Sequence, residues 1–240
     1  MLGVATRTVI ALRFPVIDRN LLRLKVRDAL PRSVTGPTLP PFPICRVDPD
    51  AIERYVEYAV LKKYRCAGRV KDGSWDLRAK PLAESPKYRL LRGYHEGEID
   101  AAELTYERLR EHGYPEREAE FYADYGYGAY LDELFESIRE RGVEPAVGDG
   151  GTERTHDRYD QVAINVDRDG ALVFNSCGFH RLVIAQLVGL EAIPVRINAV
   201  HERWWRARSE SPTPVDDHPE LTAVGRLPIR WRDVLGVARD

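Results

Sequence analysis

Cysteine is scarce: Cys45, Cys66 and Cys177 are the only three in 240 residues, they lie far apart, and none forms a C-x-x-C pair. That spacing argues against a disulfide framework and against a cysteine-based zinc site, and it points to an intracellular, cytoplasmic protein. H-E-x-x-H is missing too, so no metal-ligating residue is assigned. Net charge is nearly absent. The 36 Lys and Arg residues against 38 Asp and Glu leave −2, which gives no overall attraction to nucleic acid or an anionic membrane. Long apolar runs are also lacking. Arg7 and Arg13 interrupt Met1–Phe14, a stretch too short and too charged to span a bilayer or serve as a signal peptide. Carried on to Leu30 it reads as an amphipathic helix, packed on its own domain in preference to lying on a membrane surface, and no transmembrane segment is expected. No repeat period is visible.

What is present supports a folded core, since 43% of the residues are hydrophobic. Residues 33–47 hold four prolines and a glycine and read as an extended connector. Asp48 reads as a helix N-cap with Pro49 in the first turn, followed by an apolar stripe of Ile52, Tyr55, Val56, Tyr58, Ala59 and Leu61 through Lys63. Residues 67–77, with Gly73 and Trp75, read as a hairpin or loop. Four helices are expected next. One carries Tyr88, Leu90 and Leu91 and ends near Gly93 or Gly97. The others cover Ala101–His112, Glu116–Tyr125 and Tyr130–Arg141, the last closed by Gly142.

After a loop at 148–157 the period changes. Val162, Ile164 and Val166 alternate with polar residues as in a strand, Asp167-Arg168-Asp169-Gly170 reads as a hairpin turn, and Ala171–Phe174 returns. Asn175–Phe179 is a turn, His180–Val188 an apolar helix stopped by Gly189, and Ile193–Ile197 a further strand. Residues 209–218 read as loop and Pro228–Val237 as a last short helix. The fold class is α+β: a helical N-terminal region, then a small mixed-sheet α/β core. Four regions are assigned: 1–47 (N-terminal segment and connector), 48–128 (helical), 129–208 (core) and 209–240 (C-terminal tail).

The candidate site is the turn Cys177-Gly178-Phe179-His180-Arg181. A strand feeding a glycine turn and then a helix leaves unpaired backbone N–H groups at the positive end of the helix dipole. Gly178 has no side chain to obstruct an anion. Arg181 offers a planar fork for phosphate oxygens, and His180 can donate a hydrogen bond or protonate a leaving oxygen. Catalysis would also need a carboxylate base, and Glu136, Glu140 and Asp157 are the candidates. His156 precedes the first core strand and could approach the same pocket. His201, Trp204 and Trp205 follow the last strand, where ligands of α/β sheets gather. Trp75, Asp76 and the cluster Tyr122, Tyr125, Tyr127 and Tyr130 are read chiefly as packing.

The stretch from Val162 to Ile197, with its hairpin, Gly-Phe-His-Arg turn, Leu-Val-Gly helix end and Ile-Pro-Val strand, resembles the core of the ParB/sulfiredoxin superfamily. Leu134–Pro145 is similar to its leading helix. Residues 71–135, with Gly73-Ser74-Trp75-Asp76 before the helices and His201 and Trp204 after the last strand, resemble the helical part of ParB-like proteins. The resemblance implies binding of ATP or CTP, possibly with Mg²⁺, through Cys177, Gly178, His180, Arg181 and His201. It implies a kinase-like phosphotransferase acting on a small molecule or glycan precursor, with His180, Glu136 and Glu140 in catalysis. Cys177 stands where the family has aspartate, and a thiol cannot replace a carboxylate for Mg²⁺. Two rivals therefore stay open: a nucleotide-binding regulatory module without turnover, and a ParB-type DNA-binding or nuclease protein. DNA is the less favoured partner for want of a basic field.

Overall fold

The computed structural model describes residues 44–57, 59–61, 68–144, 161–175 and 177–209. The expected helix over 1–30, most of the connector, the loop 148–157 with His156 and Asp157, and the tail from 210 with its expected last helix lie outside the described residues.

Among the described residues, seven strands form one mixed, open sheet with six α-helices, a mixed α/β fold. The strands are β1 (Ile44–Val47), β2 (Arg54–Tyr55), β3 (Arg69–Lys71), β4 (Lys80–Pro81), β5 (Val162–Val166), β6 (Leu172–Phe174) and β7 (Ile193–His201). The helices are α1 (Pro86–His95), α2 (Tyr106–Glu111), α3 (Glu116–Tyr125), α4 (Tyr127–Arg141), α5 (Phe179–Leu187) and α6 (Glu202–Ser209). The sheet runs β1-β7-β5-β6-β2-β4, with β3 also paired to β7. β5 and β6 form the expected antiparallel hairpin, and β7 lies parallel to β5 after α5. Strands from 44–81 thus join the same sheet as strands from 162–201. Helices on both sides of residue 128 share one apolar core with it.

Alternation on β5 and β7 assigns the two faces. Val162, Ile164 and Val166, with Val195, Ile197 and Val200, enter the main core under the helices. Their neighbours Val173 and Ala199 face a smaller cluster with Val56, Leu61 and Trp75. Between Ile164 and Asn165 the register of β5 against β7 slips by one, so Asn198 is the extra residue of a bulge. Fully buried leucines such as Leu90, Leu91, Leu131 and Leu182 each contribute about 2 kcal/mol to the main core.

The expected helix over 48–63 is corrected. Asp48 does cap a turn, accepting a hydrogen bond from Asp50 N at 2.8 Å, but only a 3₁₀ turn at Pro49–Ala51 follows. The chain then becomes β2, parallel to β6 and antiparallel to β4. The apolar residues explain the change: Ile52 belongs to the main core, whereas Val56 and Leu61 belong to the cluster on the other face. A single helical stripe cannot serve both faces of a sheet, whereas a strand in it can.

The expected helix Ala101–His112 is divided. A 3₁₀ turn at Ala101–Glu103 has a capping box between Asp100 and Glu103. Thr105 then caps α2, its hydroxyl accepting from Arg108 N at 3.3 Å. α3 matches its expected span. α4 begins three residues early because Gly126, at φ +81°, turns the corner directly after α3. β7 runs on to His201, beyond the expected end at Ile197.

Candidate functional site

The turn before α5 is fixed from the strand side. Cys177 is buried, its N–H donates to Asn175 O at 3.0 Å, and its carbonyl accepts from Ala163 N of β5 at 3.1 Å. Gly178 follows at φ +74°. A Cβ there would lie 2.9 Å from both Cα and Cγ2 of Val162. Glycine is therefore needed so that the turn can pass close to β5: its missing side chain makes room for Val162, where an opening for an anion is expected. Gly178 itself has no side chain with which to cap α5, and the positive end of the dipole of this nine-residue helix lies at this turn.

His180 does not open freely onto that end. Its Nε2 lies 2.6 Å from the hydroxyl of Tyr127 and 3.4 Å from that of Tyr114. The two hydroxyls are 2.6 Å apart. The Tyr122 and Tyr130 rings pack 5.8 and 6.0 Å from the imidazole, both close to edge-on. Burial, then the charges of Lys87 and Arg181, push the His180 pKa down to about 3. The ring is therefore neutral at physiological pH, which removes the expected role of protonating a leaving oxygen. Burial also holds the phenols of Tyr114 and Tyr127 in their protonated form.

Two cations act on that imidazole. Arg181 is the next residue of α5 and is partly buried. Lys87 comes from the first turn of α1. Its Nζ sits 4.1 Å above the Tyr114 ring and 3.2 Å from Glu118 Oε2. Lys87, Tyr114 and Glu118 were not legible as site residues: none lies in a motif, and only the packing of α1 and α3 near α5 brings them there. Of the tyrosines read as packing, Tyr122, Tyr127 and Tyr130 pack around the candidate histidine, whereas Tyr125 is half exposed and stacks on Phe121.

The other candidates lie elsewhere. Glu136 and Glu140 are exposed on α4, about 13 and 20 Å along the helix from Tyr127 at 1.5 Å per residue, so neither carboxylate joins the His180 cluster. His201 belongs to the opposite side of the sheet, its ring 5.9 Å from that of Trp75. Its Nε2 donates to Gly73 O at 2.9 Å, and its Nδ1 accepts from Arg203 N at 3.1 Å. With both nitrogens held by backbone, His201 is a structural post and has no free nitrogen to offer a nucleotide. Beside it, Asp76 receives Arg168 Nε at 2.6 Å and Nη2 at 2.8 Å. Although its burial opposes ionisation, these bonds carry the Asp76 pKa down to about 2. Arg54 pairs with Asp167, whose Oδ1 accepts from Asp169 N and Ala171 N. The Asp167–Gly170 hairpin turn is thus clamped from two sides. Trp204 is fully buried and Trp205 packs on the main core.

A further polar layer lies within the sheet. Asn198 Nδ2 donates to Asn165 Oδ1 at 3.0 Å, Arg196 Nη1 to Asn198 Oδ1 at 3.3 Å, and Asn175 Nδ2 to Leu61 O at 3.0 Å. Among the described residues, no three His, Cys, Asp or Glu side chains gather to hold a metal ion, and no helix is long and apolar enough to cross a membrane.

No protein-family model, curated protein or solved structure matches the chain.

Proposed function

We propose that this chain is a ParB/sulfiredoxin-like protein that binds the phosphate groups of a nucleotide, ATP or CTP, at the start of α5. The observation that carries the reading is convergence. The start of α5, Arg181 from that helix and Lys87 from α1 meet at one imidazole, and both cations act on it. Two fixed cations at a helix N-terminus are a favourable setting for a multiply charged anion. The order strand, hairpin, turn, helix, parallel strand supports the superfamily reading.

Neutral His180 favours binding over acid catalysis, so the module without turnover is the first form of the proposal. Phosphoryl transfer to a small-molecule or glycan acceptor is a second form. It is favoured by Glu118, a carboxylate that Lys87 holds beside the His180 cluster, where Glu136 and Glu140 do not reach. No step is assigned to Mg²⁺, because the carboxylate the family uses beside the turn is replaced by buried Cys177.

Calorimetry with inorganic phosphate, ATP and CTP tests the reading on wild type, Lys87→Ala and Arg181→Ala. The nucleotides bind wild type, and each substitution weakens them about tenfold, the worth of one charge-assisted hydrogen bond. Equal affinity in all three proteins would remove the site. Release of ADP or CDP with an added acceptor would select the transferase form.

A further inference from the structure

We infer that the hydroxyl of Tyr127 locks His180 in the tautomer that carries its proton on Nδ1, making that N–H a donor for the bound phosphate. The donor role rests on the proposed phosphate site, whereas the lock rests on hydrogen-bond accounting alone.

Three polar atoms meet in the buried tyrosine cluster: the hydroxyls of Tyr114 and Tyr127 and Nε2 of His180. Both tyrosines are almost wholly buried, and no other hydrogen-bond acceptor reaches either hydroxyl among the described residues. Two directions of donation are available. In the first, Tyr114 O–H donates to the Tyr127 oxygen and Tyr127 O–H donates to Nε2. Every buried hydroxyl proton then has an acceptor, and the imidazole proton resides on Nδ1. In the second, Nε2–H donates to the Tyr127 oxygen and Tyr127 O–H donates to the Tyr114 oxygen. The Tyr114 proton is then left with no acceptor in the interior, because the only other polar atom within reach is Nε2, already a donor. The first direction wins because it strands nothing.

The cations support the same state. Lys87 and Arg181 oppose a second proton on the ring, so His180 stays neutral and its tautomer is a real choice. Nδ1 has no partner among the described residues. Its N–H is thus the ring's one donor not spent inside the cluster, on the second residue of the helix whose start is proposed to take phosphate. Tyr127 is a positioning residue here, two bonds removed from the ligand, and Tyr114 keeps the Tyr127 proton pointed at the imidazole.

The test is two-bond ¹⁵N–¹H correlation spectroscopy of the His180 ring, with and without inorganic phosphate, in wild type, Tyr127→Phe and the double variant Tyr114→Phe/Tyr127→Phe. Wild type is expected to show the Nδ1–H form, with its ring signals moved by phosphate. Tyr127→Phe keeps the ring and removes the donor, so the tautomers mix and phosphate affinity falls about fivefold. The double variant also removes the second hydroxyl, 3.4 Å from Nε2. An Nε2–H form in wild type that nonetheless binds phosphate would overturn the lock alone, a result independent of how the variants fold. An unchanged tautomer in the folded double variant would do the same. Failure of wild type to bind phosphate by calorimetry overturns the nucleotide reading and the donor role together, whatever tautomer the ring displays.

Discussion

His180 and His201 serve opposite faces of one sheet, and their ring nitrogens have different fates. His201 spends both on backbone groups of Gly73 and Arg203. His180 spends one on Tyr127 and keeps the other. Around His201, Asp76 and Arg168 neutralise each other in a two-point ion pair that holds the hairpin turn. Around His180, the charges of Lys87 and Arg181 both act against protonation of the ring, and Lys87 also pairs with Glu118. A polar cluster whose groups are all consumed internally acts as a fastening. One that keeps a donor is suited to a ligand, and the difference lies in the hydrogen-bond inventory, since both rings are histidine.

The largest expected effect comes from the turn that begins the His180 side. Gly178→Ala sets a Cβ 2.9 Å from Val162 and fixes a side chain at φ +74°. It is expected to cost about 3 kcal/mol in urea unfolding. A loss below about 1 kcal/mol would mean that the turn relaxes and that its glycine serves the anion instead of the packing. On the other face, Asp76→Asn removes the charge that Arg168 binds and is expected to cost about 2 kcal/mol. Nucleotide affinity is expected to stay at the wild-type value. A matching loss of affinity would erase the division between fastening and site.

The third effect is a slope, smaller than the other two over any single pH unit. The unfolded chain protonates a histidine near 6.5, while folded His180 resists protonation down to about 3. Between those values the unfolded state holds more protons, so the stability present above 6.5 is lost as pH falls, by at most about 1.4 kcal/mol per pH unit. His180→Gln is expected to remove that slope between pH 6.5 and 4. Asp76 adds its own loss only below 3.8, toward about 2. A wild-type stability curve flat from pH 7 to 4 would show the imidazole in water rather than among tyrosines.

Much of the core could be read locally. Asp167-Arg168-Asp169-Gly170 announced the β5–β6 hairpin, and the apolar run from His180 with Gly189 behind it gave α5 to within one residue. The expected site centred on the turn, but half its neighbours are remote in sequence. Glu136 and Glu140 are candidates only as carboxylates, and α4 turns both to the surface. Lys87 and Tyr114 carry no local mark, because what selects them is the packing of α1 and of the loop before α3 against the start of α5.

By itself the amino-acid order determined the hairpin, the helix that follows it, the glycine between them and the positions of most later helices. These depend on periodicity and on residues whose backbone preferences act over a few neighbours. Only the tertiary structure decided that Ile52 serves one face of a sheet and Val56 and Leu61 the other, that His201 is fully engaged, and that His180 lies neutral among tyrosines between two cations. Those outcomes depend on which distant groups exclude water and accept each proton, and such neighbours exist only once the chain has closed on itself.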